Sequence, residues 1–309
     1  MDLSVVILNW NTRELLRDCL ASIYRYTAGI NFEVIVVDNS STDGSQAMVV
    51  SAFPRVKLIQ NTDNLGFAVG NNQGIHVAAG RYILLLNSDT IVLGNLAEAV
   101  SFLDRHPQVG MLGVRVLNKI GTIQETCTRR FPSILSKLVN YFRISARLIG
   151  RLVPHLEQDQ QFDYDRAQPV EVVSGAFMML PRGTIEQVGG LDESFFLYAE
   201  DIDWAKRIHA AGYEIWYAPV VTITHYGGET SSQIPDRTHY LRLHSLAKYF
   251  DKHYGRPYGN LYRTVLYITV LLTYLPVLVT WWLSYGKRRS RLGELVRLFH
   301  KVLFNPALR

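Results

Sequence analysis

Two cysteines, Cys19 and Cys127, are all that 309 residues contain. They make neither a CxxC pair nor a metal-ligand spacing, which points away from a disulfide scaffold or zinc ribbon and toward a reducing compartment. Also missing are a G-x-G-x-x-G fingerprint after the first apolar run and a GxxxxGK[ST] phosphate loop, so NAD-dependent enzymes and P-loop ATPases recede. No Ser-His-Asp or Cys-His arrangement offers a protein nucleophile. The opening Met-Asp runs straight into a short apolar stretch, without the basic region and longer apolar core of a signal peptide. There is no long internal repeat and no low-complexity tract. What remains is a globular composition, 48% hydrophobic and 19% charged. The net charge of +5 favours anionic partners without choosing among nucleotides, lipids and nucleic acid.

What is present is an alternation of apolar runs and helical stretches. Residues 82–89, YILLLNSD, read as a buried strand that ends in a carboxylate. In open α/β sheets ligands bind beyond the carboxyl ends of strands, so Asp89 stands where a phosphate-bound divalent cation could sit. A helix cap or an Asx-turn is the plain alternative for a lone aspartate. Apolar runs at 3–8, 32–37 and 56–60 read as further strands, with helices over 12–26, 45–53 and 69–79 between them. This alternation predicts an α/β fold with a mostly parallel sheet. Three polar strand ends, Asn9/Asn11, Asp38/Ser40 and Asn87/Asp89, would then share one edge and could form a nucleotide pocket. Gly66, Gly70 and Gly74 recur every four residues, around Asn71 and Asn72. They serve either close helix packing or backbone approach to a phosphate or sugar.

Residues 107–116 read as another strand. Residues 134–153 have apolar residues at helical spacing and a stripe of Arg143, Arg147 and Arg151, which suits either an anionic membrane surface or solvent. The strand-like run 170–181 is broken at Ser174-Gly175-Ala176, where small residues would admit a substrate to the backbone. Glu200, Asp201 and Asp203 crowd three carboxylates into four positions, beside Trp204, at the start of a helix that closes at Gly212. Acidic residues favour helix N-termini. Clustered carboxylates also raise one another's pKa, which fits one of them to take up a proton. The run 215–225 ends in His225; a lone histidine is more often structural, but together with Asp89 it makes a mixed Mn²⁺ or Mg²⁺ site reasonable.

The C-terminal stretch 264–286 carries no charge, long enough to cross a bilayer. Pro276 interrupts it, and Lys287, Arg288, Arg289 and Arg291 follow. A single span would carry that basic cluster outward, against the positive-inside tendency. A kinked, re-entrant or interfacial segment is therefore expected, with Trp281 and Trp282 near the headgroups and 292–304 as a second surface helix. The domain division expected is 1–250 and 251–309.

As an ordered set, VVILNWN, VVDNSSTDGS, NLGFAVGNNQG, LLLNSD, VSGAFMMLPR, FFLYAEDIDWAKR and His225-Tyr226-Gly227-Gly228 resemble a family 2 glycosyltransferase of the GT-A fold, over about residues 3–230. The nearest likeness is to the bacterial rhamnosyltransferase group that builds cell-wall and O-antigen polysaccharides. The resemblance implies an α/β GT-A catalytic domain followed by a hydrophobic, helical, membrane-associating tail. It implies inverting transfer from a nucleotide-sugar, with L-rhamnose from dTDP-rhamnose the expected donor and a UDP-hexose the alternative. Donor contacts would come from Leu8, Asn9, Asn11, Asp38, Ser40, Gly66, Asn71, Asn87 and Ser88. A divalent metal, Mg²⁺ or Mn²⁺, would lie on Asp89 and His225, and Asp201 would be the general base. Gly175, Ala176, Glu200, Asp203 and Trp204 would face the acceptor. The partners implied are a lipid-linked saccharide and an anionic membrane surface, not nucleic acid, at the cytoplasmic face of a bacterial inner membrane. One departure is Asn87, which stands where the DxD-like element would have its first carboxylate. That leaves room for a catalytically silent, nucleotide-sugar-binding scaffold. A processive synthase is disfavoured, because the chain lacks a Q-x-x-R-W motif and several clear spans.

Overall fold

The computed structural model describes residues 1–136, 162–227, 235–283 and 293. The chain divides into two compact units, Met1–Phe131 with Phe162–Gln233, and Pro132–Gln161 with Ile234–Arg309. In the first unit, β1 (Leu3–Asn9), β2 (Phe32–Asp38), β3 (Lys57–Gln60) and β4 (Tyr82–Asn87) alternate with α1 (Arg13–Tyr26), α2 (Ser45–Ala52) and α3 (Phe67–Val77). Val5, Val6 and Ile7 of β1 are fully buried, as are Val34 to Val37 of β2 and Ile83 to Leu85 of β4. A strand covered on both faces has no solvent side to alternate toward, which is why these segments read as unbroken apolar runs.

The chain continues through β5 (Thr90–Val92), α4 (Leu96–Arg105), β6 (Val109–Leu117), β7 (Thr128–Arg129), β8 (Gln168–Pro169), β9 (Val172–Val173) and β10 (Phe177–Pro181). It closes with α5 (Arg182–Val188), α6 (Glu200–Ala210) and β11 (Glu214–His225). The main sheet runs β3-β2-β1-β4-β10-β6-β11-β5, with β8 on β11, and a separate two-stranded sheet pairs β7 with β9. The expectation of a mostly parallel sheet is corrected here. The pairs among β1 to β4 and the β6–β11 pair are parallel, but β10 lies antiparallel to both β4 and β6, and β5 and β8 antiparallel to β11. The run read as one strand over 170–181 is two strands in two different sheets, because the break at Ser174-Gly175-Ala176 turns the chain. β5, α4 and α5 are additions to the sequence reading.

The four-residue glycine spacing resolves as packing. A Cβ on Gly70 would come 2.3 Å from Leu8 Cδ1, and one on Gly74 the same distance from Val6 Cγ1, so α3 lies directly on β1. Gly66, at φ +87°, faces Phe196, whose carbonyl oxygen would be 2.5 Å from a Cβ there. That carbonyl accepts the Phe67 backbone N–H at 2.7 Å, tying the start of α3 to the segment that leads into α6.

The second unit contains α7 (Pro235–Tyr254) and α8 (Arg256–Trp282). Residue 250, the boundary drawn from the sequence, falls inside α7. Gly255 turns the chain between the helices at φ +85°. Arg263 Nη1 donates to Asp251 Oδ1 at 2.9 Å, and the Phe250 and Tyr262 rings pack 5.0 Å apart. Leu261, Ile268, Leu272 and Val279 of α8 are each more than half exposed. Among the described residues no helix is long and apolar enough to cross a membrane. The amphipathic stretch expected over 134–153 lies outside the described residues beyond 136, as do the basic cluster 287–291 and, apart from residue 293, the helix expected over 292–304.

Candidate active site

The carboxyl ends of β1, β2 and β4 come together as a wired polar edge. Asp38, the last residue of β2 and fully buried, accepts from Asn9 Nδ2 at 2.7 Å through Oδ2. Its Oδ1 accepts the Ser41 backbone N–H at 2.8 Å and Gln46 Nε2 at 2.7 Å. Asn9 Nδ2 also donates to Ser41 Oγ at 3.1 Å, and Asn9 Oδ1 accepts from Thr12 Oγ1 at 2.7 Å. Thr12 Oγ1 in turn lies 2.8 Å from Ser88 Oγ, which joins the β1 edge to the β4 edge. Thr12 precedes α1 as expected, but its hydroxyl makes no cap bond. Asn11 Oδ1 accepts the Thr42 N–H at 2.7 Å. Asn11 and Ser40 hold left-handed backbone, φ +52° and +62°, a conformation most side chains avoid. The strand-end residues read from the sequence are thus brought together. Ser41 and Gln46, which complete the network, were not singled out, and Thr12 was read only as a candidate helix cap.

Leu8 sits near the end of β1, beside Asn87 in the β1–β4 register. Asn71 is buried in α3, its Nδ2 donating to the Phe67 carbonyl at 2.9 Å, and Gly66 faces Phe196 as described. Both lie one layer behind the polar edge, engaged with protein groups.

The sequence pair Asp89 and His225 is assembled by β5. His225, last residue of β11, is opposite Thr90 in the β11–β5 register, and the Tyr226 N–H donates to the Asp89 carbonyl at 3.0 Å. His225 Nε2 then lies 3.2 Å from Asp89 Oδ1. Nδ1 of the same ring lies 2.9 Å from Gln124 Oε1, and Asn87 Nδ2 lies 3.4 Å from Nε2. A carboxylate oxygen and an imidazole nitrogen this close make an oxygen–nitrogen donor set that suits a shared divalent cation. Among the described residues no group of three or more His, Cys, Asp or Glu side chains could hold a metal by itself. A divalent cation on such a pair would take its remaining ligands from oxygens such as those of a phosphate.

The carboxylate cluster opens α6. Tyr198 and Ala199, immediately before it, are both left-handed at φ +70° and +66°. The approach to the helix is clamped: Asn72 Nδ2 donates to the Leu191 carbonyl at 2.8 Å, Trp204 Nε1 to the Gly189 carbonyl at 2.9 Å, and Arg207 Nη2 to the Gly190 carbonyl at 2.7 Å. Asp203 is fully buried and held by Arg207 Nε at 2.9 Å. Trp204 is fully buried as well, so these two serve the framework from inside it. Asp201 Oδ1 accepts the Ile202 N–H at 2.8 Å, while Oδ2 pairs with the Arg129 guanidinium. Gly175 forms the wall beside it: a Cβ there would sit 3.9 Å from Asp201 Oδ2 and 3.8 Å from Phe67 Cζ. Burial first, and then the Asp201 charge, push the Glu200 carboxyl up to about 8. Its Oε2 is buried without a hydrogen-bond partner among the described residues.

The two halves meet across β4 and β10. Asn87, which reaches toward His225, donates its backbone N–H to the Ala176 carbonyl at 3.2 Å, and the next residue back is Gly175, beside Asp201. The sheet edge thus carries a polar strand-end network and a close Asp–His pair, and α6 sets the buried Asp201 carboxylate beside Gly175.

A model of the family described as glycosyl transferase family 2 matches residues 4–165. The chain is 26% identical over 241 residues to the N-acetylglucosaminyl-diphospho-decaprenol L-rhamnosyltransferase of Mycobacterium tuberculosis, covering 72% of this chain and 76% of that protein. It is 27% identical over 229 residues to the low-salt glycan biosynthesis hexosyltransferase Agl10 of Haloferax volcanii, covering 72% and 67%. Among solved structures it is similar to the Pyrobaculum calidifontis mannosyltransferase PcManGT in complex with GDP-Man and Mn²⁺, with a TM-score of 0.57 at 17% identity over 98% of this chain and 87% of that one. Residues 1–349 of TarS from S. aureus match with a TM-score of 0.53 at 17% identity over 98% and 90%.

Proposed function

The chain belongs to glycosyl transferase family 2 and is a glycosyltransferase with a GT-A-like fold, and on that premise we propose that it moves one sugar, with inversion, from a nucleotide-diphosphate sugar to a hydroxyl of a lipid-linked saccharide. The donor is L-rhamnose from dTDP-rhamnose. The observation that carries this reading is the link through Asn87, which lies within reach of His225 beside Asp89 and donates its backbone N–H to the Ala176 carbonyl, next to Gly175 and Asp201. Asp201 Oδ2 takes the proton of the acceptor hydroxyl, and the oxygen attacks the anomeric carbon. The bond from that carbon to the nucleoside diphosphate breaks on the opposite face, and the diphosphate leaves with the electron pair. A single displacement of this kind inverts the centre and needs no protein nucleophile.

Asp89 and His225 would hold a divalent cation, Mn²⁺ or Mg²⁺, which when bound offsets charge on the leaving diphosphate. Asp38, Asn9, Asn11 and Ser40, with Leu8, Asn87 and Ser88, line the donor side, where Asp38 stands ready for the base or ribose. Gly66 and Asn71 support that side from α3. Gly175, Ala176 and Glu200 form the acceptor side, and Asp203 and Trp204 fix the helix that carries Asp201. The M. tuberculosis relative is named for an acceptor on diphospho-decaprenol and for rhamnose, which supports both the lipid-linked acceptor and the donor.

Calorimetric titration with dTDP-rhamnose, UDP-galactose and GDP-mannose, each with and without Mn²⁺, tests the donor. Metal-dependent binding of dTDP-rhamnose alone is expected, and selective binding of another nucleotide would replace it. Retained donor binding with lost turnover in Asp201→Asn separates this enzyme from a silent scaffold, which would lose nothing.

The catalytic domain is proposed to span 1–250, with 251–309 lying on the cytoplasmic face of a bacterial inner membrane. The exposed residues Leu261, Ile268, Leu272 and Val279 of α8 recur at spacings of seven, four and seven, which places them on one helix face and supports an interfacial position. Ile268→Glu with Leu272→Glu in the full chain is expected to lose co-sedimentation with phosphatidylglycerol vesicles. Undiminished co-sedimentation would remove the membrane reading and leave the catalytic one intact.

A further inference from the structure

Arg129 has no part in the chemistry described so far, yet the fold delivers it to the base. It lies on β7, opposite Val172 of β9, and the Ser174 N–H donates to the Cys127 carbonyl at 2.9 Å, which extends that pairing toward Gly175. The small sheet therefore fixes Arg129 relative to the same turn that forms the wall beside Asp201. Its Nη2 pairs with Asp201 Oδ2, while Oδ1 is held by the Ile202 N–H. Both carboxylate oxygens are thus anchored, one by the first turn of α6 and one from the second sheet. Asp201 is almost wholly buried, whereas the Arg129 side chain is 36% exposed, so the arginine reaches inward to make the contact. Its Nε is buried with no hydrogen-bond partner among the described residues.

The surrounding charges make a cation here consequential. Glu200 and Asp203 share α6 with Asp201, and Glu171 accepts the Phe131 N–H nearby. Arg207 is engaged by Asp203, and Lys206 lies over the Phe131 ring at 4.6 Å. Arg129 is the cation seated on the Asp201 carboxylate. A guanidinium is always charged and presents its donors in a fixed fork, so it can hold one carboxylate oxygen in place. That oxygen keeps a further lone pair for an incoming hydroxyl.

We propose that Arg129 is the positioning residue of the general base, holding Asp201 Oδ2 at the Gly175 wall where the acceptor hydroxyl must arrive. This rests on the reading of Asp201 as the base. Arg129 touches Asp201 and not the reacting atoms, so its loss should fall on turnover rather than on binding.

The test compares wild type, Arg129→Met, Arg129→Lys and Asp201→Asn in the full chain. Turnover is followed by dTDP release from dTDP-rhamnose, with a short-chain N-acetylglucosaminyl-diphospho-lipid as acceptor, and dTDP affinity is measured by calorimetry. Arg129→Met is expected to lower kcat about a hundredfold, within the range of general acid–base contributions. Both KM values and dTDP affinity should stay within about threefold. Arg129→Lys, which keeps the charge but not the fork, should recover roughly tenfold of that loss. Unchanged kcat in Arg129→Met, or a rise in acceptor KM at constant kcat, overturns the proposal. Full turnover in Asp201→Asn would instead remove the base reading itself, an outcome that does not depend on Arg129. Crystal structures of the two Arg129 variants provide an arm that needs no donor. Asp201 Oδ2 should leave the Gly175 wall in the methionine variant and stay in the lysine variant, and an unmoved carboxylate in both overturns the proposal.

Discussion

The donor side and the base side of this site are built on different principles. On the donor side, Asn9, Thr12, Asp38, Ser41, Gln46 and Ser88 answer one another's hydrogen bonds. Its two left-handed residues are Asn11 and Ser40, both short and polar. On the base side, the left-handed residues are Tyr198 and Ala199, an aromatic and an alanine, and such backbone costs about 1–3 kcal/mol each. There Glu200 Oε2 and Arg129 Nε are buried without partners among the described residues. Asn72, Trp204 and Arg207 hold that strained approach in place from behind. A satisfied network is ready before its ligand comes. A strained one is maintained by its surroundings, and such strain gathers where a substrate is to be handled.

The sharpest way to break this comparison is at Asp201. Asp201→Asn is expected to lower kcat by roughly 10²–10⁴, with donor affinity unchanged because the donor side is built without it. A matching loss of donor affinity would mean that the two sides are one unit.

A smaller effect is expected at Gln124, whose Oε1 lies 2.9 Å from His225 Nδ1. Gln124→Leu should weaken Mn²⁺ binding in the presence of dTDP about 10–100-fold, the usual cost of losing a partner behind a metal-binding histidine. Electron paramagnetic resonance titration of free Mn²⁺ measures it, and an unchanged affinity would detach Gln124 from the cation site.

The smallest effect concerns Glu200. Its carboxyl is pushed up to about 8, by burial first and Asp201 next. The folded state thus resists ionising it. Its contribution to stability is complete below the unfolded value near 4.5 and is lost as pH rises through about 8. Glu200→Gln should flatten the fall in Tm between pH 5 and 8.5 by on the order of a few degrees. Parallel melting curves for variant and wild type would show that Glu200 carries no such penalty.

The donor edge was legible in the sequence because its ingredients are local. Each residue sits where an unbroken apolar run stops, and parallel strands bring such stops to one side. Asp89 and His225 were legible as a pair of candidate ligands at strand ends, but not the element that joins them, β5, a three-residue strand too short to show a period. Arg129 carried no signal, because its role depends on β7 pairing with β9 and then facing α6. The glycines at 66, 70 and 74 had two readings until Val6, Leu8 and Phe196 were found against them.

By itself, then, the sequence determined the buried strands, the polar residues that end them and the carboxylate cluster at a helix start, because hydrophobic periodicity and turn chemistry act over a few residues. Tertiary structure alone decided the antiparallel insertion of β10, the short strand β5 that brings Asp89 to His225, and the seating of Arg129 on Asp201. These depend on strand order and register, which are set by packing between segments far apart in the chain.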